Sequence, residues 1–387
     1  MSWRKGEIAM IAPVKTAVVG CGKISDAYLK TMISRFKVLE VVGCCDRNPD
    51  KAQAQAQQYG IKTISIEEIL ADDSIELVVN LTAPTAHYAV IKQLLEAGKH
   101  VYTEKVLAVE LEHAAELVKL ADEKQLYLGA APDTFLGSAL QTARYVVDSG
   151  MLGDITSCSC ALTRDGDILN RAFPFTTKPG GGIGFDVGIY YITALLSILG
   201  PVKEVAGIVR TRNPERMDYT LEHFGEPYLI ENENIMAGML QFDCGTVGTM
   251  LFDSNSIFIL PEKPHLVLCG TMGIMYLADP NCFGGDVRVI LKGNQEPFIM
   301  PPSHAFREEC RGLGVAEMAW SMRQERKNRA NKELAYHALE VLQGIVKSSS
   351  TQANQNMQST FEKMPPLPRG HTGPDFFKFI DEIGLAL

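Results

Sequence analysis

Short apolar runs alternate with longer amphipathic stretches between residue 15 and about residue 130 of the chain. This alternation predicts repeated βαβ units around a parallel sheet, and the near-continuous apolar runs indicate strands covered on both faces. The predicted strands lie at residues 16–19, 39–45, 62–64 (a weaker one), 77–81, 100–103 and 126–130. Residues 86–97 predict a helix, because Val90, Leu94 and Leu95 recur at helical spacing before Gly98.

The pattern changes after residue 150, where the elements no longer alternate regularly. One helix is predicted at 186–199, followed by longer strands at 235–242, 246–252, 265–269 and 287–291. Two helices are then predicted at 315–327 and 332–347, and the polar, Pro-rich residues 348–370 predict an extended surface segment. This α+β pattern indicates a second domain.

The predicted strand at 235–242 has two largely apolar faces. One face carries Ile235, Ala237 and Met239, and the other carries Met236, Leu240 and Phe242. A half-solvated sheet would have one polar face. We therefore expect helices on one face of the sheet and a partner subunit on the other, in a homodimer or homotetramer.

Composition and charge narrow the class of protein. The chain has 387 residues, 46% of them hydrophobic, and a net charge of −9, which disfavours a nucleic-acid partner. No run approaches the ~20 apolar residues of a membrane span, and residues 1–13 do not resemble a secretory signal, so we expect a cytoplasmic protein without membrane association. The nine cysteines are scattered without a C-x-x-C, which argues against a disulfide framework and against a zinc site.

A glycine turn follows the first predicted strand directly. The run Gly20-Cys21-Gly22-Lys23-Ile24-Ser25 leads into a helix, and Asp46 ends the second strand, followed by Arg47. Strand, glycine turn, helix N-terminus and acid together form a pyrophosphate and ribose site. We predict cofactor binding by Gly20, Gly22, Lys23, Ile24, Asp46 and Arg47. Asp46 opposes a 2′-phosphate and favours NAD, whereas Arg47 could hold that phosphate and leaves NADP open.

Polar residues also follow the fourth and fifth strands, at the sheet edge where such folds bind ligands. Thr82, Pro84 and His87 follow one strand, and Glu104 and Lys105 follow the next, so all five are predicted at the cofactor crevice. A solvated loop lysine is the alternative for Lys105. His87 can equally be a capping or packing histidine at the start of its helix.

A third cluster follows Lys178, where glycines 180–182 lead into the predicted helix. Asp186, Tyr190 and Thr193 are spaced to share one helix face, which suggests a site for a polyhydroxylated substrate. The predicted substrate-binding residues are Lys178, Asp186, Tyr190, Tyr191 and Thr193. The alternative is that Asp186 caps the helix and Tyr190 belongs to the core.

These motifs together resemble the Gfo/Idh/MocA oxidoreductases, the family of glucose-fructose oxidoreductase and inositol dehydrogenase. The resemblance rests on Gly20-x-Gly22 with Asp46, on Glu104-Lys105, on glycines 180–182 leading to Asp186-x-Gly188-x-Tyr190, and on residues 148–153. It extends from about residue 15 to about residue 368. It implies a nicotinamide cofactor and a sugar, polyol or glycoside substrate. It also implies a Rossmann domain (1–130) with a doubly wound parallel sheet and an α+β domain (131–387) with a large, mainly antiparallel open sheet.

The chain departs from the family pattern at several positions. Val106 follows the lysine where proline is usual, Tyr190 stands where many members have histidine, and Thr193 stands where they have an acid. With tyrosine at position 190, the chain resembles the branch of the family that contains glucose-fructose oxidoreductase and dimeric dihydrodiol dehydrogenase. The stretch 132–137 has no counterpart with a known role.

The resemblance leads to a hypothesis for the chemistry. Hydride passes between a carbinol carbon and the nicotinamide, and the alcohol proton passes to or from Tyr190. Lys105 is expected to lower the tyrosine's pKa, while Asp186 binds a substrate hydroxyl and holds Lys105, so these three residues are the predicted catalytic set. Two alternatives remain: a cofactor-binding sensor without turnover, and an enzyme that keeps and recycles its nicotinamide. Residues 212–234 are either a loop near the substrate or a surface insertion.

Overall fold

The structure is a computed structural model, and it describes residues 12–256 and 266–369 of the chain. Three predicted features therefore lie partly outside the described residues. They are the N-terminal stretch up to residue 11, the first residue of the strand predicted at 265–269, and the end of the second domain from residue 370 onward.

A parallel sheet in the order β3-β2-β1-β4-β5-β6 forms the first half of the described chain. Its strands are β1 Val14–Val19, β2 Leu39–Cys45, β3 Lys62–Thr63, β4 Leu77–Asn80, β5 His100–Thr103 and β6 Leu128–Ala130. The helices between them are α1 Lys23–Arg35, α2 Pro49–Tyr59, α3 Ile66–Ala71, α4 Pro84–Glu96 and α5 Leu111–Glu123. The predicted doubly wound sheet is confirmed, because helices follow the strands in the alternating order that buries both faces.

Local signals in the sequence set several helix ends in this half. The side chain of Asn48 accepts the Asp50 N–H at the start of α2, with proline at the first helical position. Ser65 and Glu68 form a reciprocal capping box at the start of α3. These caps satisfy N–H groups that the first turn of a helix would otherwise leave unpaired.

A mixed sheet dominates the rest of the described chain, in the order β16-β15-β14-β13-β7-β12-β11-β8-β17. Its main strands are β7 Ile155–Thr163, β8 Val202–Arg210, β11 Ile235–Phe242, β12 Val247–Asp253, β13 Leu266–Gly270, β14 Gly273–Leu277 and β15 Arg288–Leu291. The short strands are β16 Phe298–Ile299 and β17 Gln355–Asn356, and β9 Glu215–Met217 with β10 Pro227–Leu229 forms a separate hairpin. The pairing of β7 with β12 is parallel and the other pairings of this sheet are antiparallel, as predicted for the second domain.

In residues 12–256 and 266–369, helices lie against one face of this mixed sheet. The helices of this half of the chain are α6 Ser138–Asp148, α7 Gly166–Ala172, α8 Ile189–Leu199, α9 Leu313–Arg323 and α10 Lys332–Thr351. Helix α10 lies against β8 and β11 and also contacts α8. Met236, Leu240 and Phe242 of β11 are buried on this covered face, and Met239 on the other face is 61% exposed.

The C-terminal helices also contact the parallel sheet. Helix α9 packs against α1, β5 and β6, and Arg323 at its end pairs with Glu76 at 2.7 Å. The predicted domain boundary, between residues 130 and 131, coincides with the end of β6. Helices from beyond that boundary nevertheless pack against the first half of the chain. As a division into two domains it stays a prediction.

Two predicted helix ends differ from the observed ones. Helix α9 was predicted to end at residue 327 but ends at Arg323. Two residues after this end, Glu325 adopts a left-handed backbone conformation (φ 53°). Helix α10 continues to Thr351, beyond residue 347, because Ser348 and Ser349 accept backbone N–H groups of β8 and so belong to the packed structure. The extended segment accordingly begins after residue 351.

The open face of the mixed sheet leads to a prediction about assembly. Ile208, Met239, Val247 and Leu251 on this face are 44–61% exposed, an apolar patch of the kind that marks a subunit interface. We expect the chain to be a dimer or larger in solution and Met239→Asp to shift it toward monomer, because a buried unpaired carboxylate is costly. Analytical ultracentrifugation at micromolar concentration measures this.

The matched control is Ile33→Asp, which alters an exposed apolar residue of α1, away from this sheet. It should leave the mass unchanged. A monomeric unaltered chain would refute the expectation.

Candidate active site

The glycine turn after β1 has the geometry of an anion site. Gly20 has a φ of +101°, and a Cβ there would lie 2.7 Å from the backbone carbon of Leu81, so a larger residue does not fit. Gly22 precedes α1 without a side-chain cap, and a Cβ added at Gly22 would meet nothing within 4 Å. Ser25 stands where a third glycine is common, and its hydroxyl donates to the Gly22 carbonyl at 2.6 Å. Space is therefore open at Gly22, beside the N-terminus of α1, where the helix dipole favours an anion.

Asp46 lies beside this turn. One carboxylate oxygen accepts the Cys21 N–H at 2.7 Å and the other accepts the Asn48 N–H at 2.8 Å. The neighbouring Arg47 is exposed. An open glycine turn beside an anchored acid fits a dinucleotide, with the pyrophosphate over α1 and a ribose at Asp46. Lys23 and Ile24 begin α1 and lie at the same turn.

His87 connects the loops that follow β4 and β5. It is fully buried, with Nδ1 2.6 Å from the Val106 carbonyl oxygen and Nε2 2.9 Å from the Thr82 carbonyl oxygen. Burial lowers the pKa of His87. These contacts favour the packing alternative for His87, because both ring nitrogens face backbone carbonyls. Pro84 begins α4 beside it.

Glu104 is buried beneath the site and orients its neighbour. One of its carboxylate oxygens accepts the Tyr28 hydroxyl at 2.7 Å, and the other accepts the Lys105 N–H at 3.1 Å. The position of Lys105 is thereby tied to α1, the helix of the glycine turn.

A largely buried ion pair, with 12% of each side chain exposed, joins the two halves of the chain. The Lys105 Nζ lies 2.8 Å from a carboxylate oxygen of Asp186 and 2.9 Å from the Asp186 carbonyl oxygen. The other carboxylate oxygen of Asp186 accepts from Arg164 at 2.8 Å. Burial would raise the pKa of Asp186, but Lys105 and Arg164 outweigh it and hold that pKa below its ordinary value.

Lys105 keeps its charge in this setting. Burial by itself would lower the pKa of Lys105, but Asp186, Tyr190 and Glu104 together hold it above its ordinary value. The ammonium also lies over two aromatic rings, 5.4 Å from the ring centroid of Tyr190 and 5.7 Å from that of Phe175. The structure thus brings Lys105, Asp186 and Tyr190 together, as the spacing of the sequence motifs suggested.

Lys105 acts on the pKa of Tyr190 in the expected direction, but the net pKa of the tyrosine is not lowered. Lys105 and Arg311 do lower the pKa of the tyrosine, but burial outweighs them, so the pKa of Tyr190 is raised above its ordinary value. The cause is that the phenol is enclosed, with only 7% of the residue exposed. Tyr190 therefore holds its proton at neutral pH.

The other predicted substrate residues lie apart from this group. Tyr191 is fully buried in the core, with its ring centroid 5.2 Å from that of Phe252, and Thr193 is buried further along α8. Lys178 is half exposed and pairs with Glu231. Asp186 belongs to a π-helical turn (Gly184–Gly188) before α8, not to a continuous α-helix as predicted.

Sequence reasoning missed three residues of the site. Arg164 follows β7 directly, which is the same signal that singled out Lys105. Phe175 lies in a short 3₁₀ turn between β7 and α8. Arg311, whose positive charge acts to lower the pKa of Tyr190, lies two residues before α9, and no spacing in the sequence connects it to Tyr190.

The segment 212–234 contacts the residues beside the site rather than Lys105. Arg216 of β9 and Tyr228 of β10 both bond to Asp167 of α7, the helix that follows Arg164. At the hairpin tip Leu221 is fully exposed. The hairpin thus holds α7 in place and extends into solvent.

Two features were searched for in residues 12–256 and 266–369. Within those ranges, no helix combines the length and apolarity that a membrane crossing needs. Within the same ranges, no group of three or more His, Cys, Asp and Glu side chains is arranged to hold a metal ion.

Two family models match the chain. The first, described as the oxidoreductase family with an NAD-binding Rossmann fold, covers residues 14–131, and the C-terminal domain model of the same family covers residues 140–276. The chain belongs to the Gfo/Idh/MocA oxidoreductase family. Its first half is therefore an NAD-binding Rossmann domain, in agreement with the glycine turn and Asp46.

Relatives in this family include sugar and diol dehydrogenases. The chain is 30% identical over 194 residues to D-glucoside 3-dehydrogenase of Escherichia coli, which is 49% of the chain and 55% of the relative. It is 25% identical over 295 residues to trans-1,2-dihydrobenzene-1,2-diol dehydrogenase of Bos taurus, which is 75% of the chain and 81% of that relative. The chain spans about half the length of the curated relatives that it matches at 30% identity.

A solved structure shows the same fold. An NAD-binding oxidoreductase from Klebsiella pneumoniae superimposes with a TM-score of 0.77 at 18% identity, over 89% of this chain and 98% of that one. At this identity the likeness shows the fold of the Gfo/Idh/MocA proteins.

The position of Asp46 predicts a cofactor preference. We expect tighter binding of NADH than of NADPH, because the carboxylate accepts ribose hydroxyls and repels a 2′-phosphate. Asp46→Ser should weaken NADH binding about tenfold, the equivalent of about 1.4 kcal/mol. Cofactor fluorescence titration measures both constants.

Asp50→Ser is the matched control, since it removes an equal charge from an exposed position on the nearby α2. It should change neither dissociation constant by more than about twofold. A strong NADPH preference of the unaltered protein would rule out this role for Asp46.

Proposed function

We propose that this protein is an NAD(P)-dependent oxidoreductase that transfers a hydride between nicotinamide and a carbinol carbon of a sugar, polyol or glycoside. The observation that carries the proposal is the largely buried contact of Lys105 with Asp186, 2.8 Å apart, beside Tyr190. This group lies past the carboxyl end of β5, in the same sheet edge as the glycine turn. The glucoside and diol dehydrogenases among the relatives support the substrate class.

The bound nicotinamide would supply the hydride donor or acceptor. Gly20, Gly22, Lys23 and Ile24 would hold its pyrophosphate and Asp46 a ribose, with the loops at Thr82, Pro84 and Glu104 along the same edge. Arg47, the next residue after Asp46, would lie beside that ribose. The chain's own contribution to the chemistry is to bind the reacting oxygen and to move its proton.

Lys105 is suited to bind the substrate oxygen. An ammonium has three N–H donors, and two of those of Lys105 are directed to Asp186. The third can donate to the alcohol or carbonyl oxygen, and the positive charge favours a carbonyl oxygen that gains negative charge. Asp186 holds Lys105 in place, and because a carboxylate has more acceptor sites than Lys105 and Arg164 occupy, it can also bind a substrate hydroxyl.

Tyr190 is suited to move the proton. Its phenol is protonated at neutral pH, so it can donate a proton to the carbonyl oxygen during reduction. In the opposite direction the deprotonated form must accept the alcohol proton. A sensor without turnover would need no such pair, so the arrangement favours an enzyme.

A second candidate is an enzyme of this type that retains and recycles its cofactor. Phe173 lies under the Lys23 ammonium, with 5.0 Å between Nζ and the ring centroid, and Phe175 lies beside Lys105. One segment of the second half thus reaches both the glycine turn and Lys105, which supports slow cofactor exchange. Gel filtration of the NADH complex distinguishes the two cases, since a retained cofactor elutes with the protein.

Removal of the Lys105 ammonium or of the Tyr190 hydroxyl should abolish most turnover. Lys105→Met and Tyr190→Phe should each lower turnover ~100-fold or more, because each removes a group that acts on the reacting oxygen or its proton. A panel of aldoses, inositols and glycosides, followed by NADH or NADPH fluorescence, provides the assay. NADH affinity should stay within about twofold of the unaltered protein.

Lys92→Met, at the exposed pair with Glu116 on α4 and α5, is the matched control and should retain full turnover. Full activity in both site variants would contradict the assigned roles.

The raised pKa of Tyr190 also predicts a pH dependence. Oxidation needs the phenolate form of Tyr190. At pH values below the pKa of the tyrosine, the phenolate fraction rises tenfold for each unit by which the pH increases, so oxidation should accelerate from neutral pH toward pH ~10. Reduction needs the phenol and should be flat near neutral pH and fall at alkaline pH. Initial rates in both directions across this range measure it, and an oxidation rate that is independent of pH when chemistry limits turnover would exclude Tyr190 as the base.

A further inference from the structure

Arg164 carries a hydrogen-bond donor that the described protein does not use. Its side chain is 9% exposed, and its Nη1 donates to a carboxylate oxygen of Asp186 at 2.8 Å. Its Nε is buried, and no acceptor within residues 12–256 and 266–369 forms a hydrogen bond with it. A buried N–H without a partner costs free energy that a hydrogen bond would recover, so this atom points to an acceptor supplied by a ligand.

The backbone holds Arg164 at the edge of the site. Arg164 directly follows β7, and its N–H donates to the carbonyl oxygen of Asp253, the last residue of β12, at 2.9 Å. Two residues later, the N–H of Gly166 donates to the carbonyl oxygen of Ser254 at 3.0 Å. The short segment between β7 and α7 is therefore tied to the end of β12 on both sides of Arg164, which keeps the arginine beside Asp186.

The acids that lie closest to this segment are engaged elsewhere. Asp165 caps α7 by accepting an N–H of its first turn, Asp167 pairs with Arg216, and Asp253 accepts the N–H of Asn255. In the part of the chain that the structure describes, Asp186 is the acid that pairs with Arg164, and its other oxygen binds Lys105. Two cations thus share one carboxylate, which leaves room for a further negative charge.

The unused edge of the guanidinium fits a carboxylate. When Nη1 binds Asp186, the N–H groups of Nε and Nη2 remain as two parallel donors on another edge. A carboxylate can accept both through its two oxygens, whereas a hydroxyl accepts through one. A phosphate group would bring a charge approaching about −2 to this one guanidinium. The edge therefore favours a carboxylate.

Asp186 places this edge close to the reacting oxygen. One oxygen of Asp186 accepts from the Lys105 Nζ at 2.8 Å, and the other accepts from the Arg164 Nη1 at 2.8 Å. The two cations are therefore separated by the width of a single carboxylate group. A substrate whose carboxylate lies a few bonds from its reacting hydroxyl can contact both of them.

We propose that the substrate carries a carboxylate, as in a sugar acid or its glycoside, and that the Nε edge of Arg164 binds it. The proposal rests on the proposed function and narrows its substrate class. Arg164 is then a substrate-binding residue as well as a partner of Asp186. No bond to Arg164 forms or breaks, because a guanidinium stays protonated in proteins and acts as a fixed cation.

Matched pairs of glycosides test the proposal in the unaltered protein. Methyl glucoside and methyl glucuronide differ only in that the hydroxymethyl group of the first is a carboxylate in the second, and the galactoside and mannoside pairs differ in the same way. Oxidation is followed by NADH fluorescence at fixed ionic strength. For at least one pair, kcat/KM should be about tenfold or more higher for the acid, because hydrogen bonds to charged groups are the stronger ones.

Two variants connect this preference to Arg164. In Arg164→Gln the ratio of kcat/KM for acid over neutral glycoside should fall to about one, and Arg164→Lys should give an intermediate ratio, because it keeps the charge and loses the planar edge. Weaker support of Asp186 in these variants affects both members of a pair, so the ratio isolates the carboxylate contact. NADH affinity should stay within about twofold. Arg288→Gln, at a 56% exposed side chain on β15, is the matched control and should keep the ratio.

A second readout needs neither turnover nor a variant. Isothermal titration calorimetry of the NADH complex measures the dissociation constant of each glycoside, and the acid should bind about tenfold or more tightly than its neutral counterpart. This measurement still tests the proposal if Arg164→Gln fails to fold.

The outcomes separate the inference from the proposed function. Equal or undetectable binding of acid and neutral glycoside in every pair, or an acid preference that persists in Arg164→Gln, would overturn the inference. Turnover of neutral glycosides without an acid preference would also overturn it and would leave the proposed function supported. Binding of acids that depends on Arg164, with no turnover of any compound tested, would refute the proposed function and leave the carboxylate site supported.

Discussion

The ion pair between Lys105 and Asp186 is the interaction on which the site depends. Lys105 follows β5 of the parallel sheet and Asp186 lies in the π-helical turn before α8, so their contact at 2.8 Å ties the second half of the chain to the cofactor edge. Two buried charges are expensive to desolvate, so the pair is stable only because Arg164 and the Asp186 carbonyl satisfy the remaining groups. Loss of one member would leave an unpaired charge in the interior.

The chemistry of Tyr190 follows from a balance around that pair. Burial favours the neutral phenol, and the cations Lys105 and Arg311 favour the phenolate. Burial prevails, so the group is a proton donor at neutral pH and becomes a base only as pH rises. An enclosed site strengthens each of these electrostatic effects, because little water is present to screen them.

Much of the fold could be predicted from the sequence, because short apolar runs indicate buried strands and glycines after amphipathic stretches indicate helix ends. Strand β2 illustrates this, because its predicted bounds, residues 39–45, are the observed ones. Lys105 was found because it follows a buried strand, and Asp186 and Tyr190 because they follow glycines 180–182. Asp133 could not be found this way, because its partners, the N–H groups of Gly312 and Gly314, are distant in sequence and only packing brings them together. Tyr191 shows the converse: it is adjacent to Tyr190, yet the helix turns it into the core.

The most direct test of the central claim is a crystal structure of the protein with NADH. The account predicts the pyrophosphate over the glycine turn and the nicotinamide ring in van der Waals contact with the group formed by Lys105 and Tyr190. A nicotinamide ring bound elsewhere, or Lys105 and Asp186 separated in the cofactor complex, would contradict it.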